Sequence, residues 1–144
     1  MTSVTGAIQS GTYKIKCVAS GNYANLNDDN TDTSLTGTKE GDAAKTTTIK
    51  WNVVLSNGKY TIKNNTFPSK QAFGSTQPSE GQVVVSRKDA FEWNIKETNN
   101  NGQYLISPTV DNTLFWNLES GTETTPIKLQ KESGTKSQWN FILA

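Results

Sequence analysis

The sequence predicts an all-β domain, and three observations carry that prediction. Apolar residues alternate with polar ones in short runs: Tyr13, Ile15 and Cys17 with Lys14 and Lys16, and Phe91, Trp93 and Ile95 with Glu92, Asn94 and Lys96. This period of two is the signature of half-buried strands. The runs are broken by Asn57-Gly58 and Asn101-Gly102, pairs that supply the positive φ angles of tight hairpin turns. No segment sustains a helical period, and the chain is rich in Thr, Asn, Ser and Gly, the composition of strands joined by many turns.

The elements repeat. Gly-x-Tyr-x-Ile occurs as Gly11-Tyr13-Ile15, Gly58-Tyr60-Ile62 and Gly102-Tyr104-Ile106, with the tyrosines 47 and 44 residues apart. Trp-Asn occurs as Trp51-Asn52, Trp93-Asn94 and Trp139-Asn140, at spacings of 42 and 46. A period of this size marks a supersecondary unit. Trp139, Phe141 and Leu143 continue the alternation, as do Ile127 and Leu129, so each unit reads as four short strands. A propeller needs at least about four blades to close; three four-stranded units close instead as a β-trefoil, a six-stranded barrel with three hairpins over one end. The expectation is one domain over 1–144, with repeats at about 8–55, 56–98 and 99–144. Pseudo-threefold symmetry puts the three tyrosines and the three Trp-Asn tryptophans in the core.

Composition excludes several functions. With 14 basic and 13 acidic residues there is no basic footprint for a phosphate backbone, so no nucleic-acid partner is expected. No apolar run reaches membrane-spanning length, and no positively charged start leads into an apolar segment, so a cytoplasmic location without membrane insertion is expected. The single cysteine, Cys17, makes no internal disulfide and reads as a small core hydrophobe in a reducing compartment. The chain has no histidine, which removes Ser-His-Asp and Cys-His relays and imidazole metal sites. No enzyme, cofactor or metal is expected.

Function should lie where the repeats differ. The second strand of each repeat reads GNYANLND (21–28), SKQAFGSTQ (69–77) and NTLFWNLES (112–120). Aligning Ala24, Phe73 and Trp116 at one alternate position predicts that they face outward, with aromatics in two repeats. Phe73 also has beside it the turn Ser86-Arg87-Lys88-Asp89-Ala90-Phe91. Rings next to short polar groups make the mixed, shallow surface on which a sugar can stack and hydrogen-bond.

Here the chain resembles a family, the small fungal fruiting-body lectins of the ricin-B-like type, and within it a subgroup that recognises fucosylated chitobiose, the N-glycan core. The likeness runs over nearly the whole chain and is strongest in LFWNLESGTETTPIKLQKESGTKSQWNFI and in DAFEWNI. In that subgroup the second repeat carries the site, which the resemblance transfers to Phe73, Phe91 and Trp93, with Glu92 between the aromatics and Ser86, Asp89 and Ala90 in the adjoining loop. The family has Trp and Tyr where this chain has Phe73 and Phe91, and a shorter loop than STQPSEG after Phe73. The implied function is a non-catalytic lectin of fungal defence, binding GlcNAc-containing, fucosylated glycans on glycoproteins of an animal that eats the fungus. Other trefoil lectins of this type bind galactose-type sugars on the first repeat, which makes Asn25 and Asp28, with Trp116, secondary candidates. Single sugar sites are weak, and a homodimer would multiply them.

Three further signals have alternatives. NDDNTD at 27–32 has calcium-like acidic spacing, but an EF-hand starting at Asp28 would require Gly and Glu where Thr33 and Lys39 stand; it reads as a solvated turn. Asn64-Asn65-Thr66 matches a glycosylation acceptor that a cytoplasmic chain would not present to that machinery. Fungal trefoils also include protease inhibitors that act through one projecting loop, and Arg87-Lys88 in an exposed turn would suit a trypsin-type pocket. Outward aromatics favour the lectin.

Overall fold

Strand β1 (Gly11–Cys17) has partners on both sides, and following them leads back to it. The computed structural model describes residues 3–39, 41 and 47–144. The other strands are β2 (Tyr23–Asn25), β3 (Thr36–Thr38), β4 (Lys50–Ser56), β5 (Lys59–Asn64), β6 (Gln71–Phe73), β7 (Val85–Arg87), β8 (Trp93–Glu97), β9 (Tyr104–Pro108), β10 (Phe115–Asn117), β11 (Lys128–Gln130) and β12 (Trp139–Leu143). The antiparallel pairs β1–β12, β12–β9, β9–β8, β8–β5, β5–β4 and β4–β1 close a six-stranded barrel. The hairpins β2–β3, β6–β7 and β10–β11 cap one end. This is the β-trefoil the repeats predict.

The cap is closed around the pseudo-threefold axis by backbone alone. Leu35 N–H donates to Val84 C=O, Val84 N–H to Ile127 C=O and Ile127 N–H to Leu35 C=O, at 2.8–2.9 Å. The three side chains are buried beneath this ring of bonds. The symmetry of the sequence is therefore a symmetry of hydrogen bonding.

The opposite mouth is closed by the segment before β1. Tyr13, Tyr60 and Tyr104 are buried as expected, and their hydroxyls donate to the carbonyls of Gln9, Ile8 and Gly6 respectively. Ile8 is itself buried between them. Burial first, and then the Glu97 carboxylate, pushes the Tyr104 phenol up from 10.0 to about 12; burial also raises Tyr13 and Tyr60. Each folded pKa lies above the unfolded value, so the unfolded chain releases protons first. Stability is fully present below pH 10 and is lost as pH rises through about 12. Alkaline titration should give unfolding, followed by near-UV circular dichroism, in step with tyrosinate absorbance; tyrosine ionisation at its ordinary value in a still-folded protein would contradict this.

Trp51, Trp93 and Trp139 are fully buried, and so is Cys17. Asn57 (φ 54°) and Gly58 (φ 78°) make the tight β4–β5 turn expected of them. The β8–β9 connection corrects its expectation. Only Gly102 has positive φ there, and Thr98 N–H reaches across to Gln103 C=O at 2.8 Å, so the loop is longer than a two-residue turn. Its shape is held by Glu97, whose carboxylate accepts from Gly102 N–H at 2.7 Å. At the end of β12 the alternation also breaks: Leu143 is exposed, while Ile142 packs with Tyr23 and Ile49 outside the barrel.

Candidate functional site

The three indole N–H groups fix which residues of the cap hairpins are equivalent. Trp51 Nε1–H donates to Ala24 C=O, Trp93 Nε1–H to Ala72 C=O and Trp139 Nε1–H to Trp116 C=O, at 2.9–3.1 Å. Ala24, Ala72 and Trp116 therefore share one position, and all three are fully buried. The expected outward row of Ala24, Phe73 and Trp116 is wrong on two counts. The position faces the core, and Phe73 belongs one residue further on, with Asn25 and Asn117. In a strand of period two, a slip of one residue exchanges the faces. Trp116 is not a surface platform; it is 0% exposed and edge-on to Trp93 and Trp139, with ring centroids 5.5 and 5.8 Å away.

In the second repeat, Phe73 is only 8% exposed. It tilts against Phe91 at 4.9 Å, which meets Trp93 at 4.7 Å, so these aromatics form a stack running into the core. Gly74 permits this, since a Cβ there would approach the Phe91 ring to 3.0 Å. Phe73 is covered from outside by Arg87, whose guanidinium lies 4.8 Å from the ring centre while its Nε donates to Asp32 at 2.6 Å. Ser86 is fully buried and donates its hydroxyl to Asn30 C=O, so it is committed to the scaffold. Asp89 is exposed. Ala90, Phe91 and Glu92 do come together, in an open groove of about 360 Å³ shared with Thr61, Thr76, Thr109 and Val110.

At the position of Phe73, the first and third repeats carry Asn25 and Asn117, both buried. Asn25 is satisfied internally: its Nδ2 donates to Asn27, and its Oδ1 accepts the Thr48 hydroxyl. Asn117 differs. It is 2% exposed, its Nδ2 donates to Glu119 Oε2 at 3.1 Å, and its Oδ1 has no hydrogen-bond partner among the described residues. The bond to Glu119 also fixes which end of the amide is oxygen. Asn117 lines a cavity of about 170 Å³ with Glu119, Thr125, Pro126, Lys128 and Gln130. Lys136, at 2.9 Å, and then the Asn117 amide hold the Glu119 carboxyl below its usual range. The cavity thus holds an acceptor, an anion, a cation and neutral polar groups. Sequence reasoning left these residues out, although the Asn shared by Tyr-Ala-Asn-Leu and Phe-Trp-Asn-Leu marks the position.

The remaining signals resolve locally. Asp28 accepts from the Thr33 hydroxyl at 2.6 Å and from Asn30 N–H at 2.9 Å, which hold its carboxyl below the usual range, so this stretch is a self-bonded turn. No group of three or more potential ligand side chains that could hold a metal ion occurs among the described residues. Asn64 is fully buried, donating to Thr48 C=O and accepting from Thr66 and Phe67 N–H. Its amide is not presented for glycosylation. Of the Arg87-Lys88 pair, Arg87 ends strand β7 and is held by Asp32 and Phe73, while Lys88 is exposed in the bend that follows.

No family model matches the chain, and no curated protein matches it in sequence. Solved structures do match. A ricin B-like lectin of Macrolepiota procera, solved in complex with lactose, superposes with a TM-score of 0.84 at 22% identity, over 97% of this chain and 100% of that one. The Rhizoctonia solani agglutinin gives 0.84 at 19% identity, over 98% and 100%. A designed threefold-symmetric protein, ThreeFoil, gives 0.82 at 16% identity, over 93% and 99%. Likeness at these identities establishes architecture, and the architecture is the β-trefoil.

Proposed function

We propose that this protein is a non-catalytic carbohydrate-binding protein whose primary site is the third-repeat cavity around Asn117. The observation that carries the proposal is Asn117, which lines a polar cavity and whose buried Oδ1 has no hydrogen-bond partner among the described residues. Such an atom costs about 1–3 kcal/mol unless something donates to it. Because Oδ1 is itself covered, the Asn117 amide must turn toward the cavity it lines; a sugar hydroxyl there can then donate to it while accepting from Lys128 or Gln130, because one oxygen does both. The equivalent position is closed by Thr48 in the first repeat and made apolar by Phe73 in the second.

The finer reading, GlcNAc-containing and fucosylated glycans, rests on the family resemblance and is supported by the second-repeat groove. There Thr61, Thr76 and Thr109 line the groove beside Phe91 and Val110, which is 62% exposed, an apolar spot that suits the methyl group of a 6-deoxy sugar. Ala90, Glu92 and the neighbouring Asp89 would form its rim. The same resemblance supports a cytoplasmic fungal defence lectin acting on animal glycoproteins.

A glycan array tests the proposal. If nothing binds, while trypsin or a cysteine protease is inhibited at sub-micromolar concentration, the inhibitor reading replaces it. Asn117→Leu should abolish binding and leave stability unchanged or raised by about 1 kcal/mol, since it removes an unpaired buried acceptor. A variant that still binds the wild-type glycans with unchanged affinity would move the site elsewhere.

A further inference from the structure

An open groove of about 390 Å³ lies on the barrel flank between β8–β9 and the third cap hairpin. Phe115 forms one wall, with Ile95 and Leu105 as its half-buried apolar floor and Asn94, Ser107 and Asn112 as polar neighbours. Phe115 is the aromatic that the third repeat turns outward, because Trp116 beside it faces the core. Its equivalents are closed. Tyr23 is buried against Ile49 and Ile142 under Lys16, and the buried Gln71 side chain accepts from Phe91 N–H through its Oε1. Phe115 is left half-exposed.

The groove and the Asn117 cavity share no lining residue but flank the same hairpin, β10–β11. Phe115 and Asn117 lie on the same side of β10, two residues and so about 7 Å apart along it. Gln130, which pairs with Phe115 across the hairpin, also lines the Asn117 cavity. The cavity alone, about 170 Å³, is below the ~300–1,000 Å³ of a drug-sized site and suits a single ring. Lys96 also lines the groove, exposed and making no ion pair or side-chain hydrogen bond among the described residues, as is also true of Asn112. Elsewhere Arg87 and Lys136 are paired with Asp32 and Glu119.

Resting on the carbohydrate reading above, we infer that the Phe115 groove is a second subsite contiguous with the Asn117 cavity, so that the ligand is an oligosaccharide with a carboxylate-bearing sugar on Phe115. The C–H face of that sugar lies on the ring, its hydroxyls meet Asn94, Ser107 and Asn112, and its carboxylate meets the Lys96 ammonium.

The probes are GlcNAc, chitotetraose as a neutral oligosaccharide, and a hyaluronan tetrasaccharide, in which GlcNAc alternates with glucuronic acid, all measured by calorimetry on the full chain. The acidic tetrasaccharide should bind roughly tenfold or more tighter than the neutral one. Phe115→Ala should bring both tetrasaccharides down to the affinity of GlcNAc without changing GlcNAc itself. Lys96→Gln, at an exposed position, should remove only the preference for the acid. The inference is overturned, with the Asn117 site intact, if GlcNAc binds but neither length nor acid adds affinity, or if Phe115→Ala leaves the tetrasaccharides unaffected. Failure of every sugar to bind overturns both readings.

Discussion

Trp116→Ala is expected to lower stability by about 3–5 kcal/mol, as for a buried aromatic whose cavity cannot collapse. Its ring is lodged between Trp93 and Trp139, and the equivalent residues from the other repeats, Ala24 and Ala72, are too small to fill the space. One large and two small side chains share a position that symmetry alone would make equal. Trp116→Phe should cost much less. The Trp116 Nε1–H is buried without an acceptor among the described residues, so the smaller ring loses volume but also an unpaired donor. Urea unfolding of both variants is the check. A loss below about 1 kcal/mol for the alanine variant would mean the ring is not packed as described.

Removal of residues 1–9 is the second large effect expected. It takes away the carbonyls that accept from Tyr13, Tyr60 and Tyr104, and the buried Ile8. Each stranded hydroxyl costs about 1–3 kcal/mol, and the lost apolar burial about 1.5–3 kcal/mol. Against a net stability of about 5–15 kcal/mol, the truncated chain should lose its near-UV circular dichroism or melt far below the full one. Melting within a few degrees of the full chain would mean that water replaces the segment at little cost.

Much of the barrel was legible because its determinants are local and repeated. Gly-x-Tyr-x-Ile and Trp-Asn fix the phase of the barrel strands, and the symmetry that places one copy places the others. The cap hairpins were less legible. Their strands have three residues each, too few for alternation to establish which face is buried, and Ala is equally at home on either. Only the Trp51, Trp93 and Trp139 indole bonds, made across 21–27 residues, reveal that Ala72 rather than Phe73 matches Ala24. The candidate site was partly legible. Ala90, Phe91 and Glu92 share a groove, whereas Phe73 lies beneath Arg87 through an ion pair to Asp32, 55 residues away. The position of Asn117 was legible in the Asn-Leu pair it shares with Asn25, but its open acceptor was not, because Asn25 is closed by Thr48, 23 residues away.

The pairing of β1 with β12 bears on how the chain is made. During synthesis the first strand emerges with one edge unpaired, and its partner on that side is the last strand to appear. The Leu35, Val84 and Ile127 ring likewise needs all three repeats before any one of its bonds has both neighbours. Contacts this distant in sequence make folding slow, and they withhold their reward until the loop is closed. A ribosome-bound chain would expose open strand edges until β12 has emerged, a state prone to pairing with other chains. The closed barrel that has no edges once formed is therefore most vulnerable to aggregation while it is being translated.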